Sequence, residues 1–422
     1  MAGQGLHIAP RTSGENKIGA ELKQALRRSQ ARQRRRALAL ILPLLVFVVV
    51  TFVVPIGQLL MQSFYNPGFS SNAPKIAEWF AKHPSSEQPS DAAYAALTAD
   101  LRAMHKQRTA GMAGTRINYE FPGAQSMFSS AAKKADALTP PFHDALTDID
   151  ARWADAALWQ AMRSASSAIS TDFYLKAVDL GRDASGKIMR LPEDQRIHGM
   201  LFLRTLYLSL LVTLICLVIA YPVAHLLARL PSAQSNLLMI LVLLPFWTSL
   251  LVRTTSWVVL LQTNGVINDL LVALGVIGDD QRLALIYNKI GTIIAMTHIL
   301  LPFMILPLYS VMRGIPPTYA RAARSLGATS WTTFRRIYLP QTLPGISAGG
   351  LLVFIMAVGY YITPALVGGA SGQMISNMIA FHMQKSLNWS LAAALAGLLL
   401  AGILALYWVY DRLVGIDNMK LG

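Results

Sequence analysis

The sequence predicts an all-α membrane protein with six transmembrane helices, and three observations predict it. Hydrophobic residues make up 54% of the 422 and charged residues 14%, against roughly 25% charged in soluble domains. The apolar residues are not dispersed but gathered into charge-free runs of about 20 or more, the length needed to cross a bilayer with every backbone group paired internally. The formal charge of +15 is concentrated in two short segments that border such runs. Residues 1–36 hold Arg11, Lys17, Lys23, Arg27, Arg28, Arg32, Arg34, Arg35 and Arg36 against Glu15 and Glu21; residues 313–343 hold Arg313, Arg321, Arg324, Arg335 and Arg336 and no acid. That is the positive-inside pattern of a membrane protein rather than a nucleic-acid footprint. The single cysteine, Cys216, rules out an intrachain disulfide or a cysteine zinc cluster and reads as a small core residue.

The elements follow in order. A basic N-terminal segment, 1–36, leads into a first span at Ala37 to about Phe64, whose long polar leader and long apolar run do not fit a cleaved signal peptide. Further spans are expected near Leu203–Ala228, Leu237–Gln262, Ile290–Met312, Leu343–Val367 and Trp389–Arg412. Arg204 and Arg253 fall near span ends, where long side chains reach the interface. With the arginine-rich leader inside, six spans return the C-terminus, the 313–343 segment and a 414–422 tail to the same, cytoplasmic side. Residues 199–413 then make a core of helices 2–6.

Two features are expected on the opposite face. The first is an insertion at 65–198, balanced at 15 Lys/Arg and 15 Asp/Glu. Tyr94, Leu97, Leu101 and Met104 form one apolar stripe, and Phe142, Leu146, Ile149, Trp153 and Ala156 another at spacings of 4, 3, 4 and 3. A small helical extracytoplasmic domain follows, either a structural cap or a docking surface for a partner protein. The second is Asn264–Gly278, where Val266, Ile267, Leu270, Leu271 and Leu274 share a face too short to span. It reads as an interfacial or re-entrant helix, or as surface packing.

No catalytic signature holds. The only Gly-Lys pair, Gly186-Lys187, is followed by Ile188, and neither H-E-x-x-H nor G-x-S-x-G occurs. His225 and His298 fall inside spans, where ionisable residues are functional candidates; interfacial packing is the plainer reading of each.

The informative segment is 314–345. Pro316-Pro317 stops the fourth span. Tyr319, Ala322, Ala323 and Leu326 then recur at i, i+3, i+4 and i+7, and Gly327 suits the left-handed residue that ends a helix. Thr329 or Ser330 is placed to cap a second short helix carrying Trp331, Phe334 and Tyr338 on one face, which Leu339-Pro340 closes. Two small helices are expected at 314–340, flat on the cytoplasmic surface with alanines in close contact and arginines outward, as a socket for a cytoplasmic partner.

Ala322-Ala323, Gly327 four residues on, and Ile337-x-Leu339-Pro340 after that resemble the EAA loop of ATP-binding cassette (ABC) importer permeases. The segments LPFWTSLLVR (244–253), NGVINDLLVALGVI (264–277), LLPFMILPLYS (300–310) and GYYITPALVGG (359–369) resemble its spermidine/putrescine branch. The resemblance covers about Leu201–Leu413 and implies a type I importer fold. It also implies a second permease subunit, two ATP-binding ATPase subunits, an extracytoplasmic solute-binding protein and a place in the bacterial inner membrane. The chain itself is then non-catalytic, with no cofactor or metal of its own, ATP being bound by the partner.

The resemblance assigns coupling to the ATPase to Arg321, Ala322, Ala323, Gly327, Ile337, Leu339 and Pro340. It assigns the substrate pathway or gate to Trp247, Arg253, Tyr360, Tyr361, Thr363 and Pro364, with Gly359, Gly368 and Gly369 as hinge or close-packing positions. Two departures stand out. Arg321 occupies the place of the family's glutamate, a charge reversal that calls for an acidic contact on the ATPase, and the 65–198 insertion is foreign to usual members. Polyamine is the first expectation for the solute. The tyrosines 360 and 361 offer faces to a cation, but they also suit packing, and the spans carry almost no carboxylate apart from Asp411. That scarcity argues against a secondary transporter coupled to an ion, and a receptor has no need of a structured segment between spans four and five.

Overall fold

The computed structural model describes residues 13–83, 89–183 and 187–414. Residues 1–12 of the basic leader and 415–422 of the expected tail lie outside the described residues, as do the side chains of Lys17, Lys23, Arg27 and Arg28. The chain divides into two units, Met1–Leu59 and Leu60–Gly422.

The first unit is helical. α1, Ser13–Val48, runs through the arginine cluster into the apolar segment, and a π-helical turn at Val49–Val53 leads into α2, Val54–Gln62. The apolar stretch from Arg32 is long enough to cross a bilayer.

Within the second unit, the insertion has a core of its own. α3 (Pro74–Lys82), α4 (Asp91–Gln107), α5 (Ala110–Asn118), α6 (Ala124–Lys134), α7 (Phe142–Thr147) and α8 (Ala156–Ala165) bury Phe69, Tyr94, Leu97, Leu101, Phe128 and Trp153 among others. The Asp100 carboxylate on α4 accepts from the Ile76 and Lys75 amides at 2.8 and 3.2 Å and so caps α3 from across the fold. Burial outweighs these two bonds and raises its pKa above the usual carboxylate value. The expected stripe through Phe142–Ala156 is not one helix. Asp150 and Asp155 each accept a backbone N–H two residues on, from Arg152 and Ala157, and these local bonds break the run into α7, a 3-10 turn at Ala151–Ala154 and α8. Leu146 and Trp153 are still buried, but Ala156 is exposed.

α9 (Asp172–Ala177) and an antiparallel hairpin of β1 (Leu180–Arg182) and β2 (Ile188–Arg190), in the register Gly181↔Met189, complete the insertion. Phe173 and Ala177 of α9 pack on Leu391, Ala394 and Leu395, Asn66 donates to Ser390 at 2.8 Å, and Tyr119 Oη donates to the Leu387 carbonyl at 2.9 Å. The insertion is thereby seated on one end of the last span.

The rest comprises α10 (His198–Arg229), α11 (Ser232–Leu243), α12 (Leu250–Leu260), α13 (Val266–Ala273), α14 (Lys289–Gly314), α15 (Pro317–Ser325), α16 (Ser330–Thr333), α17 (Leu339–Gly359), α18 (Ile362–Val367), α19 (Gly369–Gly372), α20 (Ile375–Gln384) and α21 (Trp389–Val414). Five helices among the described residues are long and apolar enough to span, six when the bent pair α11–α12 counts as one. α10, α14 and α17 form the central bundle. α10 turns Thr205, Ser209, Cys216, Ala220 and Ala224 inward and leaves Leu203, Leu210, Leu214 and Val218 exposed. α17 approaches α14 closely: a Cβ on Gly345 would lie 3.1 Å from the Pro307 carbonyl and 3.2 Å from Leu308 Cα.

Three sequence expectations need correction. The third span is not straight: α11 and α12 meet at 94°. Pro245 lacks the N–H to continue α11, and Ser249 caps a new helix by accepting from the Val252 amide at 3.2 Å. The fifth span does not reach Val367. It stops at Gly359 because the ring of Pro364 is incompatible with a helical carbonyl at Tyr360, four residues earlier. The freed carbonyl of Tyr360 accepts from Ser376 Oγ at 2.6 Å, and that of Tyr361, which also takes the Ala365 amide at 3.0 Å, accepts from Asn377 Nδ2 at 2.7 Å. Finally, α13 is two turns long rather than the three its apolar face predicts; Val266, Leu270 and Leu274 are exposed, in keeping with an interfacial helix, while polar Asn268 is buried and bonded to the Gln262 and Leu283 carbonyls.

Candidate functional site

The 314–340 segment is built by its punctuation. α14 ends at Gly314, and Pro316 and Pro317 restart the chain as α15, proline being well suited to a first helical turn. At the far end the Ala328 amide donates to the Ala323 carbonyl at 3.0 Å and the Gly327 amide to the Arg324 carbonyl at 2.9 Å, with Gly327 at φ +86°. This is a Schellman cap, which needs glycine for its left-handed residue. Thr329 Oγ1 accepts from the Thr332 amide at 3.2 Å and starts α16.

The second short helix expected here does not close at Leu339-Pro340. α16 continues through a π-helical turn, Phe334–Tyr338, directly into α17, so one helical stretch runs from Ser330 to Gly359. The wider turn, in which the Leu339 amide bonds the Phe334 carbonyl, accommodates Pro340 without a break. The cytoplasmic pair is therefore one free-standing helix, α15, and the foot of the fifth span.

α15 presents two faces and buries no side chain. Ala322 and Leu326 lie on one, with Leu326 88% exposed; Trp331, 67% exposed, follows the turn. Arg321 and Arg324 lie on the other, lining a cavity against the ends of α10 and α14. Tyr319 and Ala320 line the same cavity, and both arginines stay exposed as expected while bordering it, so the two faces are less sharply divided than the spacing suggests. The helix ends supply backbone carbonyls there, and Arg313 already bonds those of Ala228 and Leu230 at 3.0 Å each. Of the other coupling residues, Gly327 is exposed, Ala323, Ile337 and Leu339 are half-buried, and Pro340 is exposed.

Sequence reasoning missed the link between this segment and α10. Trp331 stacks on Phe334 with centroids 5.8 Å apart, and Phe334 on Tyr338 at 6.3 Å. Tyr338 Oη sits 2.9 Å from His225 Nδ1, while Tyr221 meets Phe334 edge-on at 6.0 Å and Thr342 Oγ1 at 3.2 Å. The spacing 331, 334, 338 shows the stripe in sequence; its partners on α10, more than a hundred residues earlier, leave no local trace.

A second cluster forms where the broken third span meets the end of the fifth. Thr254 Oγ1 of α12 and Thr363 Oγ1 of α18 lie 3.3 Å apart and are fully buried. Arg253 lies over the Phe246 ring at 6.0 Å, and its Nε and Nη1 are buried with no hydrogen-bond partner among the described residues. Trp257 Nε1 donates to His298 Nδ1 at 3.1 Å. Arg253, Tyr360, Thr363 and Pro364 are thus brought together with Trp257 and His298. Tyr361 is exposed beside them, and Trp247 stands apart, 76% exposed at the elbow.

No group of three or more His, Cys, Asp or Glu among the described residues is arranged to hold a metal ion. Residues 217–415 match the family described as Binding-protein-dependent transport system inner membrane component. The spermidine/putrescine transport system permease protein PotB of Salmonella typhimurium (strain SL1344) is 39% identical over 215 residues, 50% of this chain and 74% of the relative. PotB of Haemophilus influenzae is 36% identical over 225 residues, 53% and 78% of the two chains. Among solved structures, a bacterial ABC transporter involved in the import of the acidic polysaccharide alginate aligns over 53% of this chain and 80% of its own, at 18% identity and a TM-score of 0.44.

Proposed function

We propose a role from one premise: the chain belongs to the family of binding-protein-dependent inner membrane transport components, the permease subunits of ABC importers, and is of the spermidine/putrescine type. It is the membrane subunit through which such an importer carries a small organic solute inward. Both termini and the 314–340 segment face the cytoplasm, the insertion faces outward, and the chain performs no catalysis and binds no cofactor. Its partners are a second permease, two ATPase subunits that bind ATP, and an extracytoplasmic solute-binding protein.

The observation that carries the coupling role is the exposed apolar pair Leu326 and Trp331, at the end of α15 and the foot of the fifth span. Apolar surface displayed to water marks a protein contact. Leu326 caps α15, and Trp331 follows it on the helix that continues into α17 and whose Phe334 and Tyr338 meet Tyr221 and His225 of α10. Motion of an ATPase bound to α15, Arg321 to Gly327, is passed through Ile337, Leu339 and Pro340 to the fifth span and through Tyr338 to the second. Arg253, Tyr360, Tyr361, Thr363, Pro364 and Trp247 contribute to the gate that this motion opens.

Polyamine is the first candidate solute, because the named relatives are spermidine/putrescine permeases. A different small organic solute is the second reading, favoured by Arg253: a guanidinium with buried, unbonded nitrogens beside Tyr360, in spans whose only carboxylate is Asp411, suits an acceptor group better than an ammonium. Uptake of labelled putrescine and spermidine by cells with and without the chain separates the two. Uptake lost on deletion and restored on re-expression supports polyamine; unchanged uptake leaves the importer role and removes that solute.

A further inference from the structure

The arginine face of α15 encloses more than a surface. The cavity between α15 and the ends of α10, α14 and α17 measures about 610 Å³, and its wall carries Arg229, Arg313, Arg321 and Arg324 with no Asp or Glu. Two of these guanidiniums are held in place. Arg313 donates to the Ala228 and Leu230 carbonyls and to Ser232 Oγ, each at 3.0 Å, and Arg229 lies 5.9 Å from the centre of the Tyr338 ring. Arg321 and Arg324 reach in from α15, three residues apart on one face, and neither has an ion-pair partner among the described residues. Four like charges around one space repel one another, and water screens this only in part. A multiply charged oxyanion between them removes the repulsion and matches the planar forks of the guanidiniums.

We propose that this cavity binds a phosphate-bearing anion, bracing α15 against the span ends. Its place decides the favoured source. Arg229 and Arg313 stand in the last turns of α10 and α14, where the apolar spans stop. Basic pockets at that level between helices take the head groups of anionic lipids; soluble phosphate offers the same chemistry from the cytoplasm. The inference rests on the importer reading only for the side of the membrane the cavity faces, since binding requires neither transport nor ATP.

The test uses the full chain in nanodiscs of phosphatidylcholine, with or without phosphatidylglycerol, and inorganic pyrophosphate as the soluble probe. Retained lipid is read by native mass spectrometry and stability by the thermal midpoint. The variant pairs are Arg321→Gln with Arg324→Gln, and, as a control, Arg335→Gln with Arg336→Gln, exposed arginines outside the cavity wall. The expected result is phosphatidylglycerol retained by the wild type and the control, and held roughly 30-fold more weakly by the cavity pair, as removal of two interfacial cations implies. A midpoint raised by pyrophosphate in phosphatidylcholine discs, and lost in the cavity pair, assigns the site to soluble phosphate. Equal retention by all three proteins with no pyrophosphate effect overturns the proposal, as does equal loss in the control pair. If Arg321→Glu then abolished ATPase stimulation, an acidic group of the ATPase would be the occupant. Selective lipid retention by a chain that supports no solute uptake at all would count against the importer reading and leave this site standing.

Discussion

The insertion and the spanning bundle use their apolar residues in opposite directions. In the insertion Phe69, Tyr94, Phe128 and Trp153 are buried, and the surface is charged. In the bundle α10 faces inward with Thr205, Ser209, Cys216 and Ala220 and outward with Leu203, Leu210 and Val218. One chain therefore meets two solvents, water around the first region and hydrocarbon around the second, where helices gain by close packing of small residues rather than by hiding large ones. The comparison also makes the coupling segment legible. Leu326 ends the free-standing α15 and Trp331 stands at the foot of the fifth span, yet both are exposed as lipid-facing residues are. They obey neither rule, and a protein partner is the surroundings that suit them.

The largest expected effect probes the water-facing region. Trp153→Ala removes a fully buried ring from a residue whose backbone carbonyl accepts from Tyr94 Oη and Trp159 Nε1. It is expected to destabilise the insertion by about 3–5 kcal/mol, seen as rapid proteolysis between residues 65 and 198 while the spans stay in the membrane. Loss of the whole chain instead would show that the two regions fold as one. Gly345→Leu is the counterpart in the bundle. It forces a side chain against the Pro307 carbonyl and Leu308, and overpacking of about 1–3 kcal/mol or more is expected, measured as a lower thermal midpoint with the insertion still protease-resistant.

Asp100→Ala leaves the Ile76 and Lys75 amides without their acceptor and is expected to cost the insertion about 1–3 kcal/mol. A smaller, pH-dependent effect belongs to Asp172. Burial pushes its pKa up, but the bonds from Ser164, Arg182 and Ser170 together win and hold it below the ordinary 3.8. Its contribution to stability is therefore present above that ordinary value and lost as pH falls through the lower folded value. Acid unfolding of the insertion should become less steep in Asp172→Asn; an unchanged acid limb would show that the Ser164 and Arg182 bonds do not set it.

Much of this fold is written in the chain at short range. Apolar run lengths locate the spans, and the stripe Tyr94, Leu97, Leu101 and Met104 is buried in full. Where the chain was misread, a local device overrides periodicity. Asp150 and Asp155 bend a continuous stripe, Pro245 and Ser249 fold the third span, and a π-helical turn carries the helix through Pro340. The punctuation of α15 by Pro316, Pro317 and Gly327 is equally local. What stayed hidden was long-range: Tyr338 against His225, Thr254 against Thr363, and the four arginines around one cavity come from separate helices. The cavity beside α15 is hidden for the same reason, since spacing shows that two faces exist but not what each one meets.

The most direct test of the account is Leu326→Ser, assayed for ATP-driven solute uptake and ATP hydrolysis in one reconstituted importer, at matched membrane levels. The side chain is almost wholly exposed, so stability is expected to change by no more than about 0.5 kcal/mol. The account expects an intact thermal midpoint with uptake reduced at least severalfold and hydrolysis no longer stimulated by the permease. Undiminished uptake with wild-type hydrolysis would contradict it, because the exposed face of α15 would then not be where the ATPase acts.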